Sequence, residues 1–465
     1  MRHFLFILAA MMFVCTGALC QVTGQVDANL REKVTVRRIV IEGNSVTRAS
    51  VILREINVHD GDVIAADSVS ALLEQNKLRL FNLQLFNEVD QRTERTGSSI
   101  DWYIKVKERW YIIPTVTVQY ADRNFNTWWV KEDHDLRRAM VGLTLTDKNF
   151  RGNLETLAVT AQAGYTQKLG ISYMRPYVNK GQTNGIGFSL SVSQSRQAYY
   201  NTDSNKLVYA GTYSGPVLQR QFEGGLSYIY RPAYASRHIF QVNYKDYGVG
   251  DTILKLNPDY FTNRSTVARF LELFYRYEYN GVDNWNYSLQ GFKLVAYAVV
   301  RKGFEGINFQ SYANVEAGLF RSVLPKWYCS AVFRGRVMYP RDQPYYFRGG
   351  LGTQTDYVRG YEYYVIDGSN YGLVRFDLKR ELFNNTYSLP VKYFTALPLR
   401  IYPKIFFDAG YINSPSPGNS FLSNRLLYSA GIGLDIITLY DIKFRFEFAY
   451  NHLNQNGLYL HFNSE

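Results

Sequence analysis

The sequence predicts a membrane all-β protein: a sixteen-stranded transmembrane antiparallel β-barrel over residues 111–465, preceded by one small α+β domain at 34–110. Three observations carry that prediction. The chain opens with an export signal yet holds no later apolar run of the roughly 20 residues a membrane helix needs. Beyond Trp110 the apolar period is two, with aromatic residues on one face of each segment and charges on the other. The connections between these segments include short turns and long loops in alternation, as a bilayer-spanning barrel produces.

Residues 1–20, MRHFLFILAAMMFVCTGALC, place Arg2 ahead of an apolar stretch at 4–14 and small residues ahead of Gln21, the layout of a secretory signal peptide. Cleavage is expected near Cys20 or Gln21. Lipidation of Cys20 is the alternative, opposed by Leu19, which is bulky where such signals place a small residue. Past the signal only Cys329 remains, so export brings neither an intramolecular disulfide nor a cysteine metal site. The 52 Lys plus Arg outnumber the 40 Asp plus Glu, a formal charge of +12, but they are spread along alternating segments. That spread favours a charged barrel interior and an anionic lipid surface over nucleic acid.

The segment at 34–110 has its own logic. A strand at 36–44, VRRIVIEGN, alternates Val36, Arg38 and Val40 against Arg37, Ile39 and Ile41, and stops at Gly43-Asn44. Val51, Ile52 and Ile56 share one helical face over 45–57, and Gly61 closes that element. A second helix is expected over 67–83, with Val69, Leu72, Leu73, Leu80 and Leu83 on its apolar face. Strands at 88–94 and 100–108 follow, giving the order strand, helix, helix, strand, strand, enough for one small core.

The barrel pattern is clearest at 442–450, where Phe444, Phe446, Phe448 and Tyr450 share one face and Lys443, Arg445 and Glu447 the other. A sandwich strand also alternates, so one segment decides nothing. The number of segments decides. Similar alternation recurs at 141–145, 157–163, 186–192, 240–244, 271–279, 331–337, 372–378 and 405–411, and the weaker segments bring the total to sixteen. Short turns are expected at 147–152, 176–184, 231–236, 283–287, 324–326 and 440–441, and long loops at 121–138, 199–219, 248–265, 340–370 and 413–425. The turns face the periplasm, because the small domain precedes the first strand.

One long loop, between strands eleven and twelve, contains DYVRGYEYYVIDG at 356–368, four tyrosines and one arginine where small polar residues are usual. Such a loop in water would waste its rings, so it is expected to fold into the lumen. There Arg359 needs a carboxylate, and two inward candidates exist. Asp408 shares inward parity with Phe406 and Gly410, and Asp377 shares it with Arg375 and Lys379. The expected arrangement is a clasp of Arg359 on Asp408 with Asp377 behind it. The residues alone leave a second reading open, in which Arg359 is a surface arginine and Asp408 a structural lumen charge.

The opening VRRIVIEGN, LRLFNLQLFNEV at 78–89 and VKERW at 106–110 resemble the polypeptide-transport-associated (POTRA) domain. VRGY at 358–361 (Val358, Arg359, Gly360, Tyr361), the pattern of Phe406, Asp408 and Gly410, and GIGLDI at 431–436 are similar to the BamA/TamA family of outer-membrane assembly factors, the bacterial surface antigen family. The resemblance covers nearly all of the mature chain. It implies a clasp of Arg359 with Asp408, assisted by Asp377. It also implies residence in the outer membrane with the POTRA domain in the periplasm, and a role in inserting β-barrel proteins or, in the two-partner secretion branch, exporting a protein through the pore. Housekeeping insertases of the family carry several POTRA domains, whereas one is read here.

The expected mechanism is strand addition: the front domain offers a sheet edge to an unfolded barrel segment, and the barrel templates it at the seam between first and last strands. The seam residues are Val116, Val118 and Tyr120 on the first strand and Leu458, Tyr459, Leu460 and Phe462 on the last. Expected partners are unfolded outer-membrane proteins, outer-membrane lipid and lipopolysaccharide, and accessory lipoproteins or another periplasmic protein. A translocation pore is the alternative. An enzyme is not expected: there is no Gly-x-Ser-x-Gly, and the six histidines show no ligand spacing, His452 and His461 reading as rim residues of the final hairpin. No cofactor, metal or nucleotide is expected. Asn384-Asn385-Thr386 fits a glycosylation sequon but is expected in a periplasmic turn.

Overall fold

The computed structural model describes residues 32–120, 139–212, 214–352, 356–388, 396–438 and 442–463. The export signal at 1–20, with Cys20, the loop expected at 121–138 and the turn expected at 440–441 lie outside the described residues.

The front domain is built from β1 (Lys33–Glu42), α1 (Ala49–Glu55), β2 (Val63–Ala65), α2 (Val69–Asn82), β3 (Phe86–Thr96) and β4 (Ser99–Glu108). Its sheet runs β2-β1-β4-β3, with β1 parallel to β4 and the other pairs antiparallel. Strand β2 is additional to the expected order. Helix α1 is shorter than expected because Glu108 captures the segment before it, accepting from Ser45 Oγ at 2.7 Å and from the backbone N–H groups of Val46 and Thr47 at 3.0 and 2.6 Å. A register shift between Val36 and Arg38 corrects the simple alternation expected in β1. Val34 and Val36 on one side of the shift, and Ile39 and Ile41 on the other, all reach the core with Ile52, Leu80, Phe86 and Trp102.

The barrel closes through β5 (Ile112–Tyr120), β6 (Ala139–Phe150), β7 (Glu155–Gly164), β8 (Thr166–Arg175), β9 (Asn184–Ser195), β12 (Gln219–Ala233), β13 (Ser236–Val249), β14 (Val267–Val282), β15 (Gly291–Glu305), β16 (Phe309–Leu324), β17 (Trp327–Tyr339), β20 (Asn370–Arg380), β21 (Phe383–Ser388), β22 (Ala396–Asn413), β23 (Leu426–Ile437), β24 (Lys443–Asn451) and β25 (Asn456–Asn463). These are seventeen segments but sixteen staves. Strands β20 and β21 lie end to end against the same partner, β22. The break is caused by Pro403, which has no N–H to give a ladder: three residues, 380–382, face two, 402–403, before pairing resumes at Phe383 and Ile401. The sequon at 384–386 therefore sits in strand β21 rather than in a turn.

Alternation sorts the side chains. Leu226, Val337, Ile432 and Leu458 are each more than 60% exposed on the outer wall, while charged and small polar residues face the lumen. Tyr230, Tyr279, Phe292 and Trp327 lie on the outer wall toward the end of the short turns, the position of an interfacial girdle. No described helix is long and apolar enough to cross a membrane. At the other end, the connections are less uniformly long than expected, since Tyr165 alone separates β7 from β8. The loop expected at 199–219 contains its own hairpin, β10 (Gln197–Asp203) and β11 (Lys206–Gly211). Its flanks pack into an aromatic cap with Tyr260, Phe261, Phe270 and Phe347, and Asn205 at its tip donates to Val365 O at 3.0 Å and Ser420 Oγ at 2.7 Å.

The front domain rests on the turn end of the barrel. Glu55 of α1 receives Arg231 through Nη1 at 2.6 Å and Nη2 at 2.8 Å, and Tyr177 Oη at 3.1 Å. Arg54 donates to Gln182 O at 2.7 Å, and Asn82 at the end of α2 reaches Tyr234 Oη at 3.1 Å. Burial alone would push the Glu55 carboxyl up, but the guanidinium groups of Arg231 and Arg54 hold it below the usual carboxylate range.

Candidate functional site

The loop between β17 and β20 turns into the lumen and lays Val358, Arg359 and Tyr361 against the inner wall, each under 5% exposed. The local backbone explains the glycines. Gly360 has φ +85°, and a Cβ there would stand 3.2 Å from the Ala449 Cβ, while its carbonyl accepts from Asn451 Nδ2 at 2.7 Å. A Cβ on Gly410 would stand 2.8 Å from Val358 Cγ2, so the wall is hollowed where the loop presses in.

Arg359 is held from several sides at once. Its Nε and Nη2 reach Asp408 at 2.9 and 2.5 Å, and its backbone N–H donates to Asp408 Oδ2 at 3.0 Å. Its Nη1 donates to Asp377 Oδ1 at 2.7 Å and to Glu447 Oε1 at 3.2 Å. The guanidinium lies 4.0 Å over the Phe406 ring. Asp377 is thus a direct ligand of Arg359, correcting the expectation that it stands behind the clasp. The bidentate pairing with the buried Asp408 removes the surface-arginine alternative.

Around this pair the charges close on themselves. Lys404 Nζ lies 2.6 Å from both Asp435 and Glu447, Lys379 lies 3.9 Å from Asp377 and 3.8 Å from Asp435, and Arg375 lies 3.6 Å from Asp408. Each of these cations thus has a carboxylate beside it, and the half-buried Arg445 adds its charge next to Asp435 and Glu447. Sequence reasoning missed Glu447, Lys404 and Asp435 as members. The signal was present in parity, since Glu447 shares its inward face with Lys443 and Arg445, and Lys404 shares one with Asp408.

The loop also reaches the last strand. Tyr357 stacks on His461 with centroids 5.4 Å apart, His461 Nε2 stands 3.4 Å from Glu447 and 3.6 Å from Glu362, and Tyr363 meets Tyr459 at 5.9 Å. Tyr361 donates to Tyr428 O at 3.2 Å and hydrogen-bonds His452. His461 is therefore a lumen residue and not a rim residue. Of the seam residues, Val116, Leu458 and Leu460 face outward and Tyr459 inward. The side chains of Val118, Tyr120 and Phe462 lie outside the described residues. The strand order sets β25 beside β5.

Comparison with known proteins fits this geometry. The POTRA family, described as "Surface antigen variable number repeat", matches residues 34–109. The outer membrane protein assembly factor BamA of Nitratidesulfovibrio vulgaris is 36% identical over 81 residues, which are 17% of this chain and 10% of that protein's length. The crystal structure of Haemophilus ducreyi BamA lacking POTRA domains 1–3 aligns with a TM-score of 0.53 at 14% identity, over 92% of this chain and 83% of that one. CdiB from Escherichia coli aligns with a TM-score of 0.55 at 13% identity, over 92% of this chain and 75% of that one. The class is an outer-membrane β-barrel with a POTRA domain in front of it. Within that class, residues 34–109 match the POTRA family and the barrel behind them is similar in fold to those of BamA and CdiB.

Proposed function

We infer that this protein assembles β-barrel proteins in the outer membrane: its POTRA domain, in the periplasm, captures unfolded strands by edge addition, and its barrel templates them at the seam between β25 and β5. The observation that carries this reading is the combination of a lumen occupied by the clasped loop and a seam made of the shortest staves. Among the described residues, strands β24, β25 and β5 have nine, eight and nine residues, against 14–16 in β12–β16. A steady wide pore is poorly served by such a lumen, whereas a short ladder opens at low cost and exposes strand edges to a client. The activity makes and breaks no covalent bond. Its substrates are unfolded outer-membrane proteins, with lipid, lipopolysaccharide and accessory lipoproteins as surroundings.

The test is a disulfide across the seam, one cysteine in 116–120 and one in 458–462, in a Cys329→Ser background. Insertion of a test barrel into proteoliposomes is expected to stop when the bond forms and to return on reduction. Undiminished insertion with the seam locked removes the mechanism. Two-partner secretion is the second reading, kept by the single POTRA domain read here. It predicts ion conductance in planar bilayers and export of one protein instead of the assembly of many.

A further inference from the structure

Beside Pro403 the outer wall is hollowed. There a groove of about 610 Å³ crosses the staves from β17 to β25. Leu378, Ile405, Ile432, Phe448 and Leu458 follow one another in register along its floor, and Phe446 borders it. Its head is different in kind. Arg380, at the end of β20, lies beside Trp327 with the guanidinium 5.4 Å from the indole ring, and both line the groove. Arg380 is exposed and forms no ion pair among the described residues. The neighbouring Glu381 does not pair with it, its carboxylate accepting instead from Tyr402 at 3.4 Å and Asn384 at 3.2 Å. Lys326, in the turn before Trp327, adds a second exposed cation at the same level.

The geometry points to a binding site for an anionic phospholipid of the periplasmic leaflet, with an acyl chain in the groove and the headgroup phosphate on Arg380. An apolar trench on a lipid-facing wall is wetted by hydrocarbon in any case. What selects an occupant is the charge at its head, at the girdle level where phosphates lie, and the tryptophan that flanks it. A guanidinium suits a phosphate because it donates through two parallel N–H groups. The site ends on Leu458 of β25, so its occupant touches the seam strand.

The test is native mass spectrometry of the full chain in detergent, titrated separately with phosphatidylglycerol and phosphatidylcholine. The expected result is one phosphatidylglycerol bound in preference to phosphatidylcholine. Arg380→Gln is expected to weaken phosphatidylglycerol about fivefold and phosphatidylcholine less, because the choline cation already offsets that lipid's phosphate, and one basic side chain near a membrane surface contributes about 1 kcal/mol. Ile432→Trp, on the outer face where it does not disturb the fold, is expected to fill the groove and weaken both lipids. Arg380→Lys, which preserves the charge, is expected to retain the preference. Equal binding of the two lipids, an unchanged preference in Arg380→Gln, or unchanged binding in Ile432→Trp overturns the assignment.

Discussion

Two sides of the barrel wall are built differently. From β12 to β16 the staves run 14–16 residues, and their long ladders hold each strand over its whole length. Lumen ion pairs there, such as Arg301 with Glu272 at 2.7 Å, join neighbouring staves. From β23 round to β5 the staves have 12, nine, eight and nine residues among those described. On this side Arg359 ties a loop to β20, β22 and β24 together, and His461 and Tyr459 bring the loop onto β25. The difference teaches that the short side is held from within, by a charge network, more than along its edges. Backbone ladders must break residue by residue. A side-chain clasp can let go as a unit.

The largest expected effect comes from breaking the clasp. Asp408→Ala leaves Arg359 in a buried site without one of its three carboxylate partners, the one that accepts from Nε, Nη2 and the backbone N–H, and is expected to cost about 3–5 kcal/mol. The check is thermal unfolding of the detergent-solubilised barrel, followed by loss of its compact form on unheated electrophoresis. A loss no greater than that from an outward substitution such as Ile432→Ala would place the clasp outside the architecture.

A smaller effect is expected where the POTRA domain meets the wall. Glu55→Gln keeps the shape but replaces the charged acceptor of Arg231, which is expected to cost the docked state about 2 kcal/mol. The wild-type contact has a matching pH dependence. The folded Glu55 carboxyl is depressed, so docking is fully stabilised above the ordinary carboxylate range near pH 4 and weakens as pH falls through the lowered value. Spin labels on α1 and on the 176–183 turn should show a broadened distance distribution in Glu55→Gln at pH 7, and in the wild type only in acid. Identical distributions would show that the contact is incidental.

Much of the barrel was legible because period two is a strong signal when it recurs sixteen times, and because inward parity at Asp377 and Asp408 follows directly from strand geometry. The loop's lumen position followed from the cost of exposing four tyrosines. Other features depend on partners far away in the chain. Glu447 joins Arg359 across 88 residues, and Glu55 joins Arg231 across 176, distances over which spacing carries no information. The shift in β1 after Val36 and the break opposite Pro403 alter parity locally, and only the second has a residue that announces it. The hairpin β10–β11 was hidden because its seven- and six-residue strands lie in a segment read whole as a loop.

The comparison of the two sides is tested most directly by amide hydrogen exchange of the full chain in detergent, in the wild type and in Asp377→Asn. The account predicts that amides of β25 exchange faster than those of β14 in the wild type, and that the substitution accelerates β25 about tenfold or more while β14 is unchanged. Equal protection of β25 and β14 in the wild type, or equal acceleration of both by the substitution, would contradict it.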